Sequence, residues 1–432
     1  MRKLHALINS QRVGELCDDQ GVWSFTYAQE WLSAAGGYAI SPALPLQVEP
    51  LVDNSTQRSI QWFFDNLLPE EAARTLLAKD AKLDASDAFA LLAYYGAESA
   101  GSLVLLETPD ELQPQGERPL SYADLHARVK QLPRASLFAQ APKRMSLAGA
   151  QHKLPVIYRD GLLFEPIGST PSTHILKPNH SDVDYAHSAI NEYFTMRLAH
   201  ALKLVVPSVS RLYTPEPIYL IERFDRVQQG NQVRRRHAID ACQLLNRDRQ
   251  FKYRAASLEN LAVLASLCSV PATARLRLFS WLVFNLLTGN SDMHLKNLSF
   301  LVEPDGIQLA PHYDLLAIGV YDTPAMDKRH WPATSLAWPL LGRQTFGEVN
   351  RALLLEAGHS LGIGQKTIIR LLDFQVEQLL TCADDLLGEI EQENKKFLAE
   401  HKDLTFCLAG EMRCLRAIVH LVMKDMVHQL SK

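Results

Sequence analysis

The chain has 432 residues, of which 47% are hydrophobic and 21% charged, so its length suits two or three domains and its composition excludes a disordered or coiled-coil protein. Its formal net charge of −4 gives no general attraction to nucleic-acid phosphates, so contact with DNA would require a local basic patch or a basic partner. The six cysteines form no CxxC pair, which argues against a disulfide framework or a zinc knuckle. Without a signal-peptide pattern or an uninterrupted apolar run of about 18 residues, the sequence predicts a cytoplasmic protein that does not associate with membranes.

The amino-terminal part of the chain predicts a small mixed α/β region. Apolar and polar positions alternate over residues 3–27, which is typical of an antiparallel sheet. Over residues 56–95 the apolar spacing becomes helical, and residues 84–87 provide a helix cap. Prolines and polar residues then interrupt the chain over residues 111–145, which we interpret as a connection between domains.

Further along, short apolar runs separated by turn residues predict a second set of strands. These runs lie at 154–158, 161–164, 174–177 and 218–221. Between the third and fourth runs, the spacing over 184–202 predicts an amphipathic helix. Beyond about residue 257 the pattern is mainly helical, with a long amphipathic stretch over 366–390.

The most informative segment is residues 288–302, which leaves an apolar helix, presents polar and charged side chains, and re-enters an apolar strand. Phosphoryl transfer needs a carboxylate that orients the attacking hydroxyl, oxygen ligands for magnesium, and a cation that offsets charge on the transferred group. Asp292, Asn297 and Lys296 supply these groups, and the first two have the spacing of the D-x-x-x-x-N catalytic loop of protein kinases. The alternative is a polar turn in which Asp292 only caps.

A second carboxylate, Asp314, ends the apolar run that follows this loop. If a strand pair brings it beside Asn297, the two oxygens would form a magnesium site like that of kinases. The triplet here is Tyr313-Asp314-Leu315, which departs from the usual DFG. By itself, an aspartate at a strand end can equally be a turn former.

Kinases also use a lysine on a small-lobe strand, paired with a glutamate on the following helix. Lys177 ends one predicted strand and Glu192 lies in the predicted helix. Each has an alternative, because the lysine could extend into water and the glutamate could lie on a solvated helix face. Residues 146–153 form a small-residue turn whose N–H groups could approach phosphates, but they match neither GxGxxG nor GxxxxGK[ST], so a P-loop or Rossmann enzyme has no support.

Two further segments are candidates for contact with ligands. Residues 221–226 follow an apolar strand and would suit a hinge between two lobes, where backbone groups can face an adenine edge; the alternative is a strand end with alternating charge. Residues 234–236 are the clearest basic run, which we interpret as a solvated hairpin tip, with a phosphate contact as the alternative.

Taken in order, six segments together resemble the HipA-like serine/threonine kinases over about residues 140–320: SLAGAQHK, HILK, NEYFTMRLA, YLIERFDR, GNSDMHLKN and PHYDLLA. The resemblance implies an α+β, two-lobed protein-kinase-like fold with a small mixed α/β amino-terminal region and a mainly helical carboxyl-terminal lobe. The predicted divisions are an amino-terminal region over 1–110, a connection over 111–145, nucleotide-binding small-lobe elements over 146–225 and a catalytic lobe over 226–432.

The resemblance also implies ATP and Mg²⁺ as cofactors, and a role for each matching residue. Asp292 would be the catalytic base, with Lys296 as the second catalytic residue, and Asn297 and Asp314 would ligate the metal. The residues implied to contact the nucleotide are Ala148, Gly149, Ala150, Gln151, His152, Lys153, Lys177, Glu222, Arg223, Phe224, His294, Asn297, Tyr313 and Asp314. His152 departs from the glutamate of the best-known members. The hypothesis requires positions 292, 297 and 314 to meet Lys177 around one magnesium–nucleotide cleft.

Ser146 matches the serine that such kinases autophosphorylate, an event associated with expulsion of the loop and loss of activity; the alternative is a plain turn serine. The family phosphorylates protein hydroxyls, with aminoacyl-tRNA synthetases among its targets, and thereby favours persistence. Its implied partners are a protein substrate, a helix-turn-helix antitoxin, and operator DNA through the antitoxin complex. Two alternatives stay open: a corepressor or binding module with dispensable catalysis, and a kinase of small-molecule hydroxyls.

Overall fold

The computed structural model describes residues 1–108, 115–139, 141–142, 145, 147–149, 151–230 and 232–432. The chain forms two compact units, each assembled from separate stretches of sequence. The first unit comprises 1–178, 220–252 and 298–310, and the second comprises 179–219, 253–297 and 311–432. Helices and sheets are mixed along the chain, which confirms the predicted α+β class. The sequence-based division at 110, 145 and 225 stays a prediction.

The secondary structure of the amino-terminal 178 residues is, in chain order, β1 (Arg2–Ile8), β2 (Gln11–Asp19), β3 (Val22–Tyr27), α1 (Gln29–Ser33), β4 (Leu51–Val52), α2 (Ser59–Asp65), α3 (Glu71–Ala81), α4 (Ala88–Tyr95), β5 (Leu103–Leu106), β6 (Gly116–Pro119), α5 (Tyr122–Val129), β7 (Leu154–Arg159), β8 (Leu162–Ile167) and β9 (His174–Pro178).

The remaining elements are α6 (Ser188–Ala201), β10 (Val209–Tyr213), β11 (Pro217–Glu222), β12 (Arg226–Gln229), β13 (Gln232–Arg235), β14 (Ala238–Asp240), α7 (Ala241–Leu244), α8 (Leu258–Leu267), α9 (Pro271–Leu287), β15 (Ser299–Glu303), β16 (Gly306–Leu309), β17 (Ser335–Leu340), β18 (Arg343–Thr345), α10 (Arg351–Ser360), α11 (Gln365–Glu400), α12 (Thr405–Ala417) and α13 (Lys424–Leu430). A π-helical segment, Ile418–Met423, joins α12 to α13. Short 3-10 turns occur between several of these elements.

An antiparallel sheet in the order β4-β3-β2-β1-β5 forms the amino-terminal part of the first unit. Its alternating apolar side chains pack on the helices, as in the edge contact of Trp23 with Phe89, whose ring centroids lie 5.3 Å apart. The Asp87 side chain caps α4 by accepting a hydrogen bond from the Ala90 N–H at 3.0 Å. The predicted sheet over 3–27, the helices over 56–95 and the cap are thereby confirmed.

A second sheet in the first unit contains the neighbouring strands β9, β7, β8 and β6 in that order. Strands β7, β8 and β9 confirm three of the predicted apolar runs. Strand β6 lies within the stretch interpreted as a connection, so that interpretation missed a strand. It pairs with β8 from Gly116 opposite Ile167 to Pro119 opposite Phe164, but its own side chains are largely exposed, so no apolar alternation marks it.

Two smaller sheets complete the first unit. Strand β14 pairs with β15 and β15 with β16, so residues 298–310 return to this unit after a long excursion of the chain. Strands β12 and β13 form the expected hairpin. The solvated-tip interpretation is nevertheless wrong for two of the three arginines, because Arg235 is buried and the Arg236 Nε donates to Glu303 Oε1 at 3.1 Å. Arg234 is exposed.

A buried ion network in the first unit joins the segments that follow α4, precede β9 and follow β11. The Glu98 carboxylate accepts hydrogen bonds from Arg223 at 3.2 Å and Arg226 at 3.1 Å, and from the Ser172 hydroxyl at 2.5 Å. A second carboxylate, Asp225, accepts from Arg223 at 2.7 Å. Burial lowers the pKa of Arg226 to about 10, but the two carboxylates stabilise its charged form. The ERFDR segment therefore folds inward, apart from its exposed glutamate.

The second unit is built mainly of helices, as the sequence predicts beyond residue 257. Its longest helix, α11, has 36 residues and extends the predicted stretch over 366–390 by ten residues at its carboxyl end. The Ser257 side chain caps α8, and Pro271 begins α9 at a position where its missing N–H costs no hydrogen bond. Within the residues described, none of the helices combines the length and apolarity that crossing a bilayer demands.

A buried carboxyl group connects β10 to α12 in the second unit. The Tyr213 hydroxyl donates to Glu411 Oε2 at 2.7 Å, and an Arg211 nitrogen lies 3.9 Å from the same oxygen. Burial raises the pKa of Glu411 to about 7, although these two neighbours lower it. The folded protein therefore holds a proton here that the unfolded chain releases at lower pH.

Glu411→Gln is expected to remove one component of the pH dependence of stability. Between pH 4.5 and 7 the folded state binds more protons at this site than the unfolded state, so ionisation lowers the free energy of unfolding as the pH rises. Relative to the variant, the wild type should lose on the order of 2 to 3 kcal/mol between pH 5 and pH 8. Denaturant unfolding at each pH measures this difference. The control is Glu356→Gln in α10, an exposed position where the same substitution should leave the pH dependence unchanged. Equal pH profiles for wild type and Glu411→Gln would contradict the prediction.

Candidate active site

The loop after α9 is braced by its own polar side chains. Gly289 has φ +67°, and a Cβ there would lie 2.6 Å from the Val422 side chain, so the position requires glycine. The Asn290 side chain accepts a hydrogen bond from the Asp292 N–H at 3.0 Å and donates to the Asn285 side chain at 2.6 Å. The end of the helix thereby fixes the backbone position of Asp292.

Asn297 closes the same loop from its other end. Its amide nitrogen donates to the Asp292 carbonyl oxygen at 3.0 Å, so the five-residue spacing from Asp292 to Asn297 is fixed by a direct bond. The Trp338 indole N–H donates to the Met293 carbonyl oxygen at 3.0 Å and supports the middle of the loop. Asn297 is buried, whereas the Asp292 side chain is 48% exposed.

Two aromatic side chains, Tyr253 and His294, lie beside the Asp292 carboxylate. The Tyr253 hydroxyl donates a hydrogen bond to Asp292 Oδ1. The same ring meets the His294 ring edge-on, with centroids 5.0 Å apart and an interplanar angle of 84°. The His294 Nε2 lies 3.9 Å from Asp292 Oδ1. Sequence reasoning missed Tyr253, because no periodicity or motif connects it to a loop 39 residues later.

The segment containing Asp314 lies against the loop. The Tyr313 hydroxyl donates to the Lys296 carbonyl oxygen at 2.9 Å. Asp314 itself has φ +59°, a left-handed conformation that aspartate and asparagine tolerate better than most residues. Three residues after Asp314, the backbone of Ala317 is bound by the Asn191 side chain. This side chain accepts a hydrogen bond from the Ala317 N–H at 2.8 Å and donates one to the Ala317 carbonyl oxygen at 3.2 Å. The second unit thus positions Asp314 from both sides.

Glu192 on α6 and Tyr219 on β11 belong to the same neighbourhood. Burial raises the pKa of Tyr219 well above its usual value, and the charges of Glu192 and Asp314 together with a hydrogen bond to Glu192 raise it further. Glu192 is almost completely buried, so the solvated-face alternative is wrong. Neither Tyr219 nor Asn191 was predicted, because no motif or periodicity connects either residue to the segment of Asp314.

In the first unit, the small-residue turn is held by backbone contacts. Gly149 has φ +109°, and a Cβ there would lie 2.6 Å from the Lys153 ammonium nitrogen. That ammonium donates to the Ala148 carbonyl oxygen at 2.6 Å. The Gly149 carbonyl oxygen accepts from the Glu70 N–H at 3.3 Å. A larger side chain at Gly149 would therefore displace the lysine that closes the turn.

Lys177 lies beside this turn in the first unit. Leu176 pairs with Leu154 in the β7–β9 register, and the Gln151 amide donates to the Pro178 carbonyl oxygen at 3.4 Å. The Lys177 residue is only 5% exposed, so the alternative in which it extends into water is wrong. His152 lies between Gln151 and Lys153 in the turn and is partly exposed.

The end of β11 presents its three candidate residues differently. The Glu222 side chain is exposed. The Arg223 side chain is directed into the buried network with Glu98, while its N–H donates to the Thr173 carbonyl oxygen at 2.9 Å. Phe224 packs against a small apolar cluster that includes Leu301. Two further candidates, Ser146 and Ala150, lie outside the described residues.

Each unit therefore brings together a set of predicted residues. The second unit assembles Asp292 and Lys296, predicted for catalysis, and Asn297 and Asp314, predicted to ligate metal, together with two residues predicted to contact the nucleotide, His294 and Tyr313. The first unit assembles Ala148, Gly149 and residues 151–153 with Lys177. Among the described residues, no group of three or more His, Cys, Asp or Glu side chains has the arrangement of a protein-only metal site. A metal here would need oxygens from a ligand as well.

Comparison with known proteins identifies the class to which this architecture belongs. Residues 145–379 match the model of the HipA-like C-terminal domain, and residues 4–106 match that of the HipA N-terminal domain. The two matches cover the segments that carry the sequence resemblance as well as the amino-terminal sheet and helices. The chain belongs to the HipA-like serine/threonine kinase family, as the sequence predicted.

Individual relatives agree with this assignment. The protein Y4mE of Sinorhizobium fredii is 33% identical over 402 residues, which cover 89% of this chain and 93% of that protein. The serine/threonine-protein kinase toxin HipA of Shewanella oneidensis is 31% identical over 330 residues, which cover 72% of this chain and 74% of that protein. A solved structure of the Shewanella oneidensis HipA, HipB and operator DNA complex matches with a TM-score of 0.77 at 26% identity, covering 98% of this chain and 99% of that chain.

Proposed function

We propose that this chain is a toxin-type serine/threonine-protein kinase that transfers the γ-phosphate of ATP to a protein hydroxyl. One observation carries the proposal: a hydrogen-bonded loop presents Asp292 to solvent, holds Asn297 through the Asp292 carbonyl, and is tied by Tyr313 to the segment that carries Asp314. A kinase base and two metal ligands would be needed at such positions, which supports the proposal. The kinase name of the Shewanella oneidensis relative supports the same activity.

In the proposed reaction, Asp292 orients the acceptor hydroxyl and takes its proton. The hydroxyl oxygen forms a bond to the γ-phosphorus, the bond from that phosphorus to the bridging oxygen breaks, and the electron pair leaves with ADP. Lys296 would offset negative charge on the transferred group. His294 would line the nucleotide site beside it.

The donor set suits magnesium. Because the Asn297 amide nitrogen is committed to the Asp292 carbonyl, its oxygen is the end left for a cation, and Asp314 supplies an anionic oxygen. Two protein oxygens are the number that kinases use, since phosphate oxygens and water complete the shell. When bound, magnesium would neutralise charge on the phosphates.

The first-unit residues would bind the nucleotide. The turn of residues 148–153 offers backbone N–H groups to phosphates, and Lys177 would contact them by charge. Glu222 and Phe224 would hold the adenine, while the buried network gives the Arg223 segment its shape. If Ser146 is the autophosphorylation site, its phosphate would add charge and acceptors beside this turn and favour its displacement.

We further propose that the chain joins a helix-turn-helix antitoxin on operator DNA and acts in the cytoplasm. The Shewanella oneidensis complex of HipA, HipB and operator DNA supports this assembly. In such an assembly, corepression would be a second role that can coexist with catalysis. By the family resemblance, the acceptor would be a protein of translation such as an aminoacyl-tRNA synthetase, and its modification would favour persistence. Co-purification with a short helix-turn-helix protein encoded beside it would test the assembly.

The catalytic proposal is tested by Asp292→Asn. Removing a general base is expected to slow transfer by about a hundredfold or more, because the acceptor hydroxyl loses its proton acceptor while the loop keeps its backbone bonds. Purified protein is incubated with labelled ATP and magnesium, alone and with a cell lysate, and phosphate on proteins is counted. Failure of the wild type to label itself or any lysate protein would overturn the proposal, as would full activity of the variant.

A further inference from the structure

Tyr253 places a hydroxyl on the carboxylate that the proposed reaction needs for its acceptor. A general base must lie within hydrogen-bond distance of the proton it accepts, and Asp292 Oδ1 already accepts one from the Tyr253 hydroxyl. The bonded group is an alcohol-like oxygen attached to a protein side chain, which is the chemistry of the proposed substrate. The phenol thus stands where an acceptor hydroxyl would donate its proton.

We propose that Tyr253 occupies the acceptor position on Asp292 and acts as an intramolecular competitor that a protein substrate displaces before transfer. This inference rests on the proposed kinase function and adds to it a specificity-determining residue. Tyr253 is not a catalytic group in this scheme, because its hydroxyl leaves the base when the acceptor binds.

The surroundings of Tyr253 suit such an exchange. The residue is 38% exposed, so its ring borders solvent. The backbone following it is anchored, since the Ala256 N–H donates to the Tyr253 carbonyl oxygen at 3.0 Å and the Asn260 amide donates to the Ala255 carbonyl oxygen at 2.6 Å. Displacement therefore requires rotation of one side chain about its own bonds and no unfolding of the loop.

The contact with His294 stabilises the phenol at its position on Asp292. Edge-on packing of the two rings at 5.0 Å favours the position on Asp292, and it is lost when the phenol leaves. A protein substrate can compensate for these losses with contacts elsewhere on its surface, whereas water cannot. The consequence is suppression of ATP hydrolysis when no protein acceptor is bound, together with selection for acceptors that dock.

The test is Tyr253→Phe, which removes the hydroxyl and keeps the ring on His294. The hydrogen bond to the charged carboxylate stabilises the phenol on Asp292, so its loss should free Asp292 more often. We expect hydrolysis of Mg-ATP in the absence of a protein acceptor, measured as phosphate release, to rise by about tenfold. The kcat/KM for dephosphorylated casein, used as a generic protein acceptor, should rise by a similar factor. The KM for ATP should stay within about twofold, because the proposal gives the phenol no contact with nucleotide.

Tyr185→Phe is the matched control, since Tyr185 is 39% exposed and meets the His180 ring at 5.0 Å in the same unit. It should leave both rates unchanged. Unchanged rates in Tyr253→Phe would overturn the inference, and a fall would overturn it in favour of a role in positioning Asp292. If the wild type and every variant transfer no phosphate, the kinase function fails as well, whereas an active wild type with an unaffected Tyr253→Phe variant rejects only the competitor.

Discussion

Asp314→Asn should reduce phosphotransfer by about a thousandfold, or about 4 kcal/mol of transition-state stabilisation. The change replaces one carboxylate oxygen by an amide nitrogen of nearly the same size, so it removes the negative charge of the proposed metal ligand while keeping its shape. The backbone should be undisturbed, because asparagine is among the residues that best tolerate the φ of +59° at this position. The loss should therefore be chemical and not structural.

Initial transfer rates are measured over a range of magnesium concentrations, and Mg-ATP-induced thermal stabilisation gives a readout that does not depend on turnover. The wild type should be stabilised by Mg-ATP and the variant much less. Asp327→Asn is the control, because Asp327 also has φ +59° but is exposed. Full activity of Asp314→Asn, or an equal loss in the control, would contradict the metal-ligand role.

Glu98→Ala should lower the free energy of unfolding by about 3 to 5 kcal/mol. The Glu98 side chain is completely buried and binds the guanidinium groups of Arg223 and Arg226, with Arg235 3.5 Å away. Removing the carboxylate leaves Asp225 to compensate several buried cations, and an uncompensated buried charge is far more costly than a lost surface pair. The Ser172 hydroxyl would also lose its acceptor.

The matched control is Glu117→Ala, which breaks the exposed pair of Glu117 with Arg159 at 2.6 Å in the same unit. A surface pair of this kind contributes at most about 1 kcal/mol. Unfolding in denaturant, followed by intrinsic fluorescence, compares the two variants with the wild type. If Glu98→Ala is no less stable than Glu117→Ala, the network contributes little and its arginines find other partners.

Local chemistry explains what the sequence predicted correctly. The five-residue spacing of Asp292 and Asn297 coincides with a direct hydrogen bond between them, and Asp87 predicted a helix start because a cap acts on a nearby N–H. Apolar periodicity likewise located the strands and helices that bury one face. The α+β class was implied by the family resemblance and agrees with these elements. The roles of the individual site residues stay predictions.

Other features depend on contacts that periodicity does not encode. Strand β6 has exposed side chains on an edge and gives no alternating signal. Tyr253 contacts Asp292 only after the chain has folded. The hydrogen bond between Asn191 and Ala317 likewise joins residues that no motif relates. The basic run at 234–236 looked solvated because its carboxylate partners are distant in sequence, as Arg236 and Glu303 show. Each of these features depends on contacts between residues that are far apart in the sequence.

The return of residues 298–310 to the first unit has a consequence for the order of events during synthesis. Ala238 on β14 pairs with Leu301 on β15, so this strand has no partner until the ribosome has passed residue 301. A nascent chain of intermediate length exposes an unpaired strand edge, which is a site for association with other chains. Premature termination between these two strands would therefore release a fragment in which β14 lacks the strand that pairs with it.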